Sequence, residues 1–161
     1  MVRKCRQQIP DLNLYPPVPF FRLLGAADLP DVMRIERCCF KRVDRFELKE
    51  YLDLLEKGGL AYVIGSPVRA VMWLVRVRRG LEIFSLATMP HWRRRGYAEM
   101  LIKHAIACMR WNRCSSLVLE VRVSNKGAIK LYRRHGFNII RRKKNYYGNE
   151  DAYTMRKRAE K

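Results

Sequence analysis

Acidic residues are scarce in this sequence. Its 161 residues include 15 Asp and Glu against 34 Lys and Arg, which gives a formal net charge of +19. The excess is uneven: residues 1–80 carry 15 basic and 9 acidic side chains, whereas residues 81–161 carry 19 and 6. This imbalance indicates an anionic partner for the second half, either a phosphorylated cofactor, an acidic peptide or nearby RNA.

Metal-binding patterns and long apolar runs are also missing. The five cysteines include no C-x-x-C pair and the three histidines are scattered singly, so we expect no metal site and no structural disulfide. No apolar run has the length of a membrane span, and the first ten residues contain no apolar signal core. We therefore expect a cytoplasmic protein without membrane contact.

The composition indicates one globular domain after a short extension. Hydrophobic residues make up 48% of the chain and aromatic residues 11%, which is enough for a sizeable core. Residues 1–20 contain four prolines and several basic residues, which predicts an irregular extension, either a tethered surface segment or an arm that contacts RNA. We assign residues 21–161 to the folded domain.

Apolar periodicity predicts alternating strands and helices in that domain. A capping box of Asp44 and Glu47 is expected to open the second helix, and Asn125 to cap the last one. The predicted strands cover residues 21–24, 61–64, 68–78, 81–89, 116–123, 137–145 and 152–156, and the predicted helices cover residues 29–39, 44–57, 96–111 and 125–135.

This order predicts an α/β domain with a mixed, mostly antiparallel sheet and helices on both faces. The strands at 61–64, 68–78 and 81–89 should be antiparallel neighbours, whereas the strand–helix–strand succession from 81 to 123 implies a right-handed crossover and a local parallel pair. Ligands bind outside the carboxyl ends of parallel strands where the neighbours diverge. Residues near 90 and near 124 should therefore border a ligand site.

A basic turn precedes the predicted helix at 96–111. The run Arg93-Arg-Arg-Gly-Tyr-Ala98 places three guanidinium groups beside a helix N-terminus, where unpaired backbone N–H groups favour anions. Gly96 would let a ligand approach the backbone closely. The turn is thus either a phosphate site or a solvated basic turn.

Two residues of the second half are candidates for proton transfer. Glu120 lies in an otherwise apolar strand, on the face opposite Leu117, Leu119 and Val121. A carboxylate there is expected to be either a general base or the partner of Arg122 or another arginine. Tyr132, on the helical face of Leu131, is either a core residue or a phenol that protonates a leaving group.

Several of these motifs together resemble those of a known family. Arg93-x-x-Gly96-x-Ala98 resembles the acetyl-CoA pyrophosphate motif of the GNAT N-acetyltransferases. The run from Glu120 to Asn125, with Leu131-Tyr132 and Gly136-Phe137, is similar to the second half of the protein N-terminal acetyltransferases of the RimI and NatA types. The segment at 145–153 resembles the same group.

The resemblance implies a GNAT fold and acetyl transfer from acetyl-CoA to the α-amine of a protein or peptide N-terminus, without a metal. Glu120 would be the general base and Tyr132 the general acid. Pantetheine would contact Leu86, Ala87, Thr88 and Asn125. The pyrophosphate would be bound by Arg93, Arg94, Arg95, Gly96, Tyr97 and Ala98. The substrate would contact Phe40, Arg42, Tyr146 and Tyr147.

Two other functions stay open at this point. A GNAT enzyme that acetylates lysine or a small amine would keep the Arg93–Ala98 turn, and a basic ribosome- or RNA-binding protein would need only the charge. A ribosome or auxiliary subunit is a possible partner of the basic surface. NatA-type subunits carry a glutamate where this sequence has Lys41 and Arg42, so we hypothesise a preference for acidic N-terminal segments.

Overall fold

The structure is a computed structural model that describes residues 21–78 and 80–159. The predicted extension at residues 1–20 lies outside the described residues. Four helices and seven strands are found in the part described, in the order β1 (Phe21–Leu23), α1 (Leu29–Cys39), α2 (Leu48–Glu56), β2 (Leu60–Ile64), β3 (Ala70–Val77), β4 (Gly80–Thr88), α3 (Tyr97–Trp111), β5 (Ser116–Arg122), α4 (Lys126–Arg134), β6 (Asn138–Lys143) and β7 (Ala152–Arg158).

The strands form one mixed sheet in the order β1-β2-β3-β4-β5-β7-β6. Only the β4–β5 pair is parallel among the described pairings; the others are antiparallel. The α3 helix forms the crossover between β4 and β5, because parallel strands cannot be joined by a tight turn. The predicted α/β domain with a mostly antiparallel sheet is confirmed.

Each face of the sheet carries its own core. On one face, α3 and α4 pack through Leu101, Ala105 and Ile129 against apolar side chains of all the central strands. On the other face, Val32 and Ile35 of α1 and Tyr51 of α2 pack against β2, β3 and the end of β4. The Tyr51 ring stacks on Trp73, with the ring centroids 4.3 Å apart. Helices therefore lie on both faces, as predicted.

The start of α2 differs from the prediction. Asp44 lies in a 3-10 turn at Arg42–Asp44, and α2 begins at Leu48, with Glu47 as N-cap and Glu50 accepting a hydrogen bond from the Glu47 N–H at 2.7 Å. The predicted capping box of Asp44 and Glu47 is wrong by one turn. Two consecutive Asp/Glu-x-x-Glu spacings occur in this segment, and spacing alone cannot choose between them.

Candidate active site

The β4 and β5 strands separate at the middle of the sheet. They pair only from Gly80 with Ser116 to Ile83 with Leu119, although β4 continues to Thr88 and β5 to Arg122. Beyond that point β4 pairs with β3 and β5 pairs with β7. The facing edge of residues 84–88 is therefore open to a ligand, at the carboxyl ends of the only described parallel pair.

A β-bulge at Phe84 re-aims the side chains of β4. Ile83 pairs with Leu74 and Ser85 with Trp73, so Phe84 has no direct partner on β3. A bulge reverses the side-chain alternation: Ile83 faces α3 and so does Leu86, three residues later. Phe84 and Ala87 instead pack on the α1 side. The bulge was not foreseen from the sequence, because one inserted residue changes no composition signal.

The separated strands open into a cleft of about 840 Å³. It brings together eleven of the residues singled out from the sequence: Phe40, Leu86, Ala87, Thr88, Arg93, Ala98, Glu120, Asn125, Tyr132, Tyr146 and Tyr147. We call the part with Arg93, Ala98 and residues 86–88 the arginine end. We call the part with Asp44, Glu82 and Glu120 the carboxylate end. Arg42, Arg94, Arg95, Gly96 and Tyr97 do not line the cleft.

At the arginine end, the turn before α3 has the geometry of an anion site. Gly96 is the N-cap of α3 with φ +82°, and Arg94 also has a positive φ of 63°. A Cβ at Gly96 would meet no atom within 4 Å, so the backbone faces open space. The first N–H groups of a helix have no partner within the helix and attract anions. The turn thus presents backbone donors together with three arginines.

The three arginines of this turn have different contacts. The Arg93 guanidinium donates to the Thr88 carbonyl at 3.2 Å and to the Cys39 sulfur at 3.7 Å, which ties the turn to the end of β4. Arg95 lies over the Trp92 ring, 4.5 Å from its centroid. Arg94 and Arg95 are exposed, so their charges are available to an anion at the rim.

At the carboxylate end, Glu120 lies in a cluster of polar side chains. It accepts a hydrogen bond from Lys143 Nζ at 2.7 Å and contacts the Thr154 hydroxyl at 3.0 Å. The sequence left two roles open for Glu120, a general base or the ion-pair partner of Arg122 or another arginine. The expected arginine partner is wrong: the ion-pair partner of Glu120 is Lys143, and Arg122 is paired with other carboxylates. No sequence pattern indicated Lys143, which comes from β6, two strands away from β5 in the sheet.

Arg122 connects the two loops that flank the carboxylate end. Its guanidinium pairs with Asp44 of the α1–α2 loop, and with Glu150 of the β6–β7 loop at 2.8 Å. It also lies under the Tyr147 ring, 4.1 Å from the centroid. Hydrogen bonds from Ser124 and from Arg122 lower the pKa of Glu150 to about 2, so this carboxylate stays charged. The two loops are thus held together through one side chain.

Tyr132 lies on α4 and lines the cleft. It is buried against Phe137, with the ring centroids 5.7 Å apart. Burial, with a smaller contribution from Tyr147, raises the pKa of the Tyr132 phenol well above its usual value. The phenol is therefore protonated at neutral pH and can act as a proton donor but not as a base.

The rim of the carboxylate end is exposed and partly apolar. Val43 is 86% exposed and Tyr146 is 49% exposed, and both line the cleft. Lys143 lies 4.7 Å from the Tyr146 ring centroid, and the Tyr146 and Tyr147 rings meet edge to face at 5.0 Å. Lys41 lines the cleft whereas Arg42 does not. The rim can therefore contact an extended chain on two sides.

Glu82 is a site residue that the sequence analysis missed. It lies in β4 between Leu81 and Ile83, lines the cleft, and shares the sheet face of Glu120. Burial and the nearby negative charge of Glu120 raise the pKa of its carboxyl group, and Lys143 opposes that rise. The signal that singled out Glu120, an acidic residue in an apolar strand, applies equally to Glu82.

The described residues include no helix long and apolar enough to span a bilayer. Among residues 21–78 and 80–159, no group of three or more His, Cys, Asp or Glu side chains is placed to hold a metal ion.

Comparison with known proteins places this architecture among acetyltransferases. The sequence profile of the acetyltransferase (GNAT) family matches residues 29–137. A [ribosomal protein bS18]-alanine N-acetyltransferase of Salmonella typhimurium is 42% identical over 141 residues, which are 83% of this chain and 93% of the relative. The N-alpha-acetyltransferase 50 of Danio rerio is 34% identical over 68% of this chain and 71% of its own length.

A solved structure has the same fold. The crystal structure of the ribosomal-protein-S18-alanine N-acetyltransferase from Escherichia coli superposes with a TM-score of 0.75 at 28% identity, covering 85% of this chain and 91% of that one.

Proposed function

This chain belongs to the acetyltransferase (GNAT) family, and from that premise we propose that it acetylates the α-amine of a protein N-terminus. It is an acetyl-CoA-dependent N-acetyltransferase, and the two sequence relatives described above act on protein N-termini. The observation that carries the proposal is the single continuous cleft. Its arginine end suits an anionic cofactor, and its carboxylate end suits a cationic amine.

The arginine end fits acetyl-CoA. The open edge of residues 86–88 offers backbone groups to the amide-bearing pantetheine arm, and the turn from Arg93 to Ala98 offers N–H groups and guanidinium groups to the pyrophosphate. Asn125, whose side chain accepts from the Ala128 N–H at 3.1 Å, lines the same space. When bound, acetyl-CoA supplies an acetyl thioester that reacts with an amine.

Glu120 and Tyr132 are the proposed proton-transfer residues. A free α-amine has a pKa of about 7.7–8.0 against about 10.4 for lysine, so a carboxylate such as Glu120 can deprotonate it near neutral pH, directly or through water. Tyr132 keeps its proton because burial raises its pKa, and it can donate that proton to the departing thiolate. Backbone N–H groups of β4 would polarise the thioester carbonyl.

The substrate peptide is proposed to enter between the α1–α2 loop and the β6–β7 loop. Phe40, Tyr146 and Tyr147 offer apolar and aromatic contacts there. Arg122 holds the two loops at a fixed separation through Asp44 and Glu150. An extended N-terminal segment would fit this passage, and the α-ammonium would reach Glu120.

Two features bear on which N-termini are acetylated. The relative from Salmonella typhimurium is a [ribosomal protein bS18]-alanine N-acetyltransferase, so a peptide that begins with Ala is the first substrate to test. Lys41 at the rim, together with the nearby Arg42, favours acidic residues downstream of the amine. The basic surface of the second half would favour the same acidic segments, or a ribosomal location.

The decisive experiment is acetyl transfer to two matched peptides. One has a free N-terminus and no lysine, and the other is blocked at its N-terminus and contains one lysine. We expect product with the first peptide only. Product mainly with the second would indicate a lysine or small-amine acetyltransferase, and salt-sensitive RNA binding without any transfer would indicate an RNA-binding protein.

A second comparison tests the preference for acidic segments. Peptides that begin with Ala and carry either Asp or Ser at the following positions are compared with the wild type and with Lys41→Glu. We expect the wild type to favour the acidic peptide and Lys41→Glu to lose that preference. Equal rates for both peptides with the wild type would contradict the hypothesis.

A further inference from the structure

Seven basic side chains lie at the end of the sheet opposite the cleft. They come from three segments, residues 76–78, 110–116 and 156–159, which contain no Asp or Glu. The basic residues are Arg76, Arg78, Arg110, Arg113, Arg156, Lys157 and Arg158. We call these three segments the basic pole.

Backbone contacts hold the three segments together. Gly80, which follows the first segment, pairs in register with Ser116, and Ser116 pairs with Arg158 on its other side. The Ala159 N–H donates to the Ser115 carbonyl at 3.0 Å. A strand rises about 3.3 Å per residue, so the length of β5 separates the basic pole from the cleft by roughly 20 Å. The fold therefore assembles the basic pole from distant parts of the chain and leaves the cleft free.

Most of these charges have no counter-ion. Among residues 21–78 and 80–159, five of the guanidinium groups take part in no ion pair and no side-chain hydrogen bond, namely those of Arg76, Arg78, Arg113, Arg156 and Arg158. At the carboxylate end of the cleft, by contrast, Arg122 and Lys143 are paired with carboxylates. Repulsion among unpaired like charges destabilises a compact fold. An anion bound at the basic pole would relieve that repulsion.

Arg113 keeps its charge at a position that favours glycine. It follows the end of α3, where its N–H donates to the Arg110 carbonyl and the Cys114 N–H donates to the Met109 carbonyl, and its φ is +51°. Helices that end in this way usually have Gly at this position, because a Cβ is unfavourable there. Arg110 already places a cation in the last turn of α3 for the helix dipole. The unfavourable backbone conformation of Arg113 points to a function for its side chain.

An exposed indole adjoins these charges. Trp111, two residues before Arg113, is 49% exposed and belongs to neither core of the described chain. A nucleic-acid base can stack on such a ring, and guanidinium groups bind phosphate through paired hydrogen bonds. Bases that are free to stack occur in single strands and loops, the form in which RNA is usually recognised. An acidic polypeptide would use the charges but would have no need of the indole.

We propose that the basic pole binds single-stranded RNA, with phosphates at its arginines and a base on Trp111. None of the residues of the basic pole lines the cleft, so RNA can be bound while the cleft is occupied, and the assignment does not depend on the function proposed above. Contacts to phosphates and to the face of a base carry little sequence information. Binding should therefore depend strongly on salt and weakly on sequence.

The test is the binding of a fluorescein-labelled RNA of about 16 nucleotides and mixed sequence to the full chain over a series of NaCl concentrations. The variant combines Arg113→Gly, Arg156→Gln and Arg158→Gln. Each phosphate contact to a single strand contributes about 0.7 to the slope of log K against log [NaCl], so this slope should become smaller by about 2 and the Kd should rise more than about tenfold near 0.1 M NaCl.

Trp111→Ala tests the indole separately. The loss of one stacked base should raise the Kd for the RNA about tenfold, but the salt slope should stay unchanged because no charge is removed. An unchanged Kd in Trp111→Ala would overturn the assignment of a base to this ring.

Controls separate RNA binding from net charge and from stability. Lys130→Gln, Arg133→Gln and Arg134→Gln together remove three charges from exposed positions of α4, and the Kd for the RNA should rise less than about threefold. Arg113→Gly alone should not lower the midpoint of thermal unfolding, because glycine adopts a positive φ without strain. The kcat and peptide KM of the variant with three substitutions in the basic pole should match those of the wild type.

Several outcomes would overturn the proposal. Equal losses of RNA affinity in the two triple variants would show that net charge alone binds RNA. The absence of RNA binding by the wild type would remove the site. Polyglutamate that displaces the labelled RNA as well as unlabelled RNA of equal charge would indicate an acidic protein as the partner, and tighter binding of DNA of the same sequence would indicate DNA. Acetyl transfer to the two matched peptides is measured separately, so failure of either proposal leaves the other standing.

Discussion

The arginine end of the cleft is built from neighbours in sequence, whereas the carboxylate end is built from residues far apart in the chain. Residues 86–98 supply most of the arginine end, through the edge of β4 and the turn before α3. At the carboxylate end, Arg122 pairs with Asp44 across 78 positions and with Glu150 across 28, and Glu120 meets Thr154 across 34.

The two ends also differ in how they recognise a ligand. The arginine end presents backbone N–H groups, which have the same geometry whatever the side chains are. The carboxylate end concentrates Asp44, Glu82 and Glu120 in a chain whose net charge is +19. A cofactor, whose structure does not vary, suits the arginine end. A peptide, whose sequence varies but whose α-ammonium does not, suits the carboxylate end. Substitutions at one end should therefore leave binding at the other intact.

The largest effect is expected at Glu120. Glu120→Gln should lower kcat by roughly 10²–10⁴-fold, since that is the usual contribution of a general base, while the Kd for acetyl-CoA stays unchanged. Steady-state kinetics on the α-amine peptide and calorimetric titration with acetyl-CoA measure the two quantities. Full activity in this variant would remove Glu120 from the mechanism, and a weaker Kd would show that the two ends are coupled.

Tyr132 of α4 should have the next largest effect. Tyr132→Phe should lower kcat by about 10–100-fold, because a thiolate with a pKa near that of free cysteine, about 8.5, needs little help to leave. Burial raises the pKa of the phenol, so the donor form persists as the pH rises. In the wild type, kcat should accordingly show no fall between pH 7 and pH 10. A fall in that range that Tyr132→Phe abolishes would contradict the raised pKa.

Arg122 tests whether the connection between the loops serves the peptide. Arg122→Met removes both ion pairs and the contact with Tyr147, and we expect the KM for the peptide to rise about tenfold, with an unchanged Kd for acetyl-CoA. The estimate corresponds to roughly 1.4 kcal/mol, in the range of one charge-assisted hydrogen bond.

The matched control for Arg122 is an arginine of the β6–β7 hairpin, whose loop carries Glu150. Arg142 pairs with Asp151 at 2.7 Å, but its side chain is exposed, so Arg142→Met should change the peptide KM by less than about twofold. If both variants raise the KM equally, the loss of one positive charge matters rather than the connection between the loops.

The same contrast explains which parts of the site were predictable from the sequence. The strand order around the parallel pair, the cap at Asn125 and the glycine turn before α3 follow from local patterns, and the structure confirms them. The Lys143 partner of Glu120 and the Asp44 partner of Arg122 depend on which strands and loops become neighbours. Local periodicity does not show which strands and loops become neighbours. A bulge such as that at Phe84 also changes the side-chain alternation of a strand without a sequence signal.

The smallest effect is expected at the arginine end, from Gly96→Ala. The added Cβ would meet no atom within 4 Å, but Gly96 has a φ of +82°, and an alanine in that conformation costs about 1 kcal/mol. The turn should shift, so the Kd for acetyl-CoA should rise about fivefold while the peptide KM stays constant. Gly127→Ala is the control, because Gly127 lies within α4 without a positive φ and alanine favours a helix. An unchanged Kd in Gly96→Ala would mean that the arginine end relies on its guanidinium groups rather than on backbone geometry.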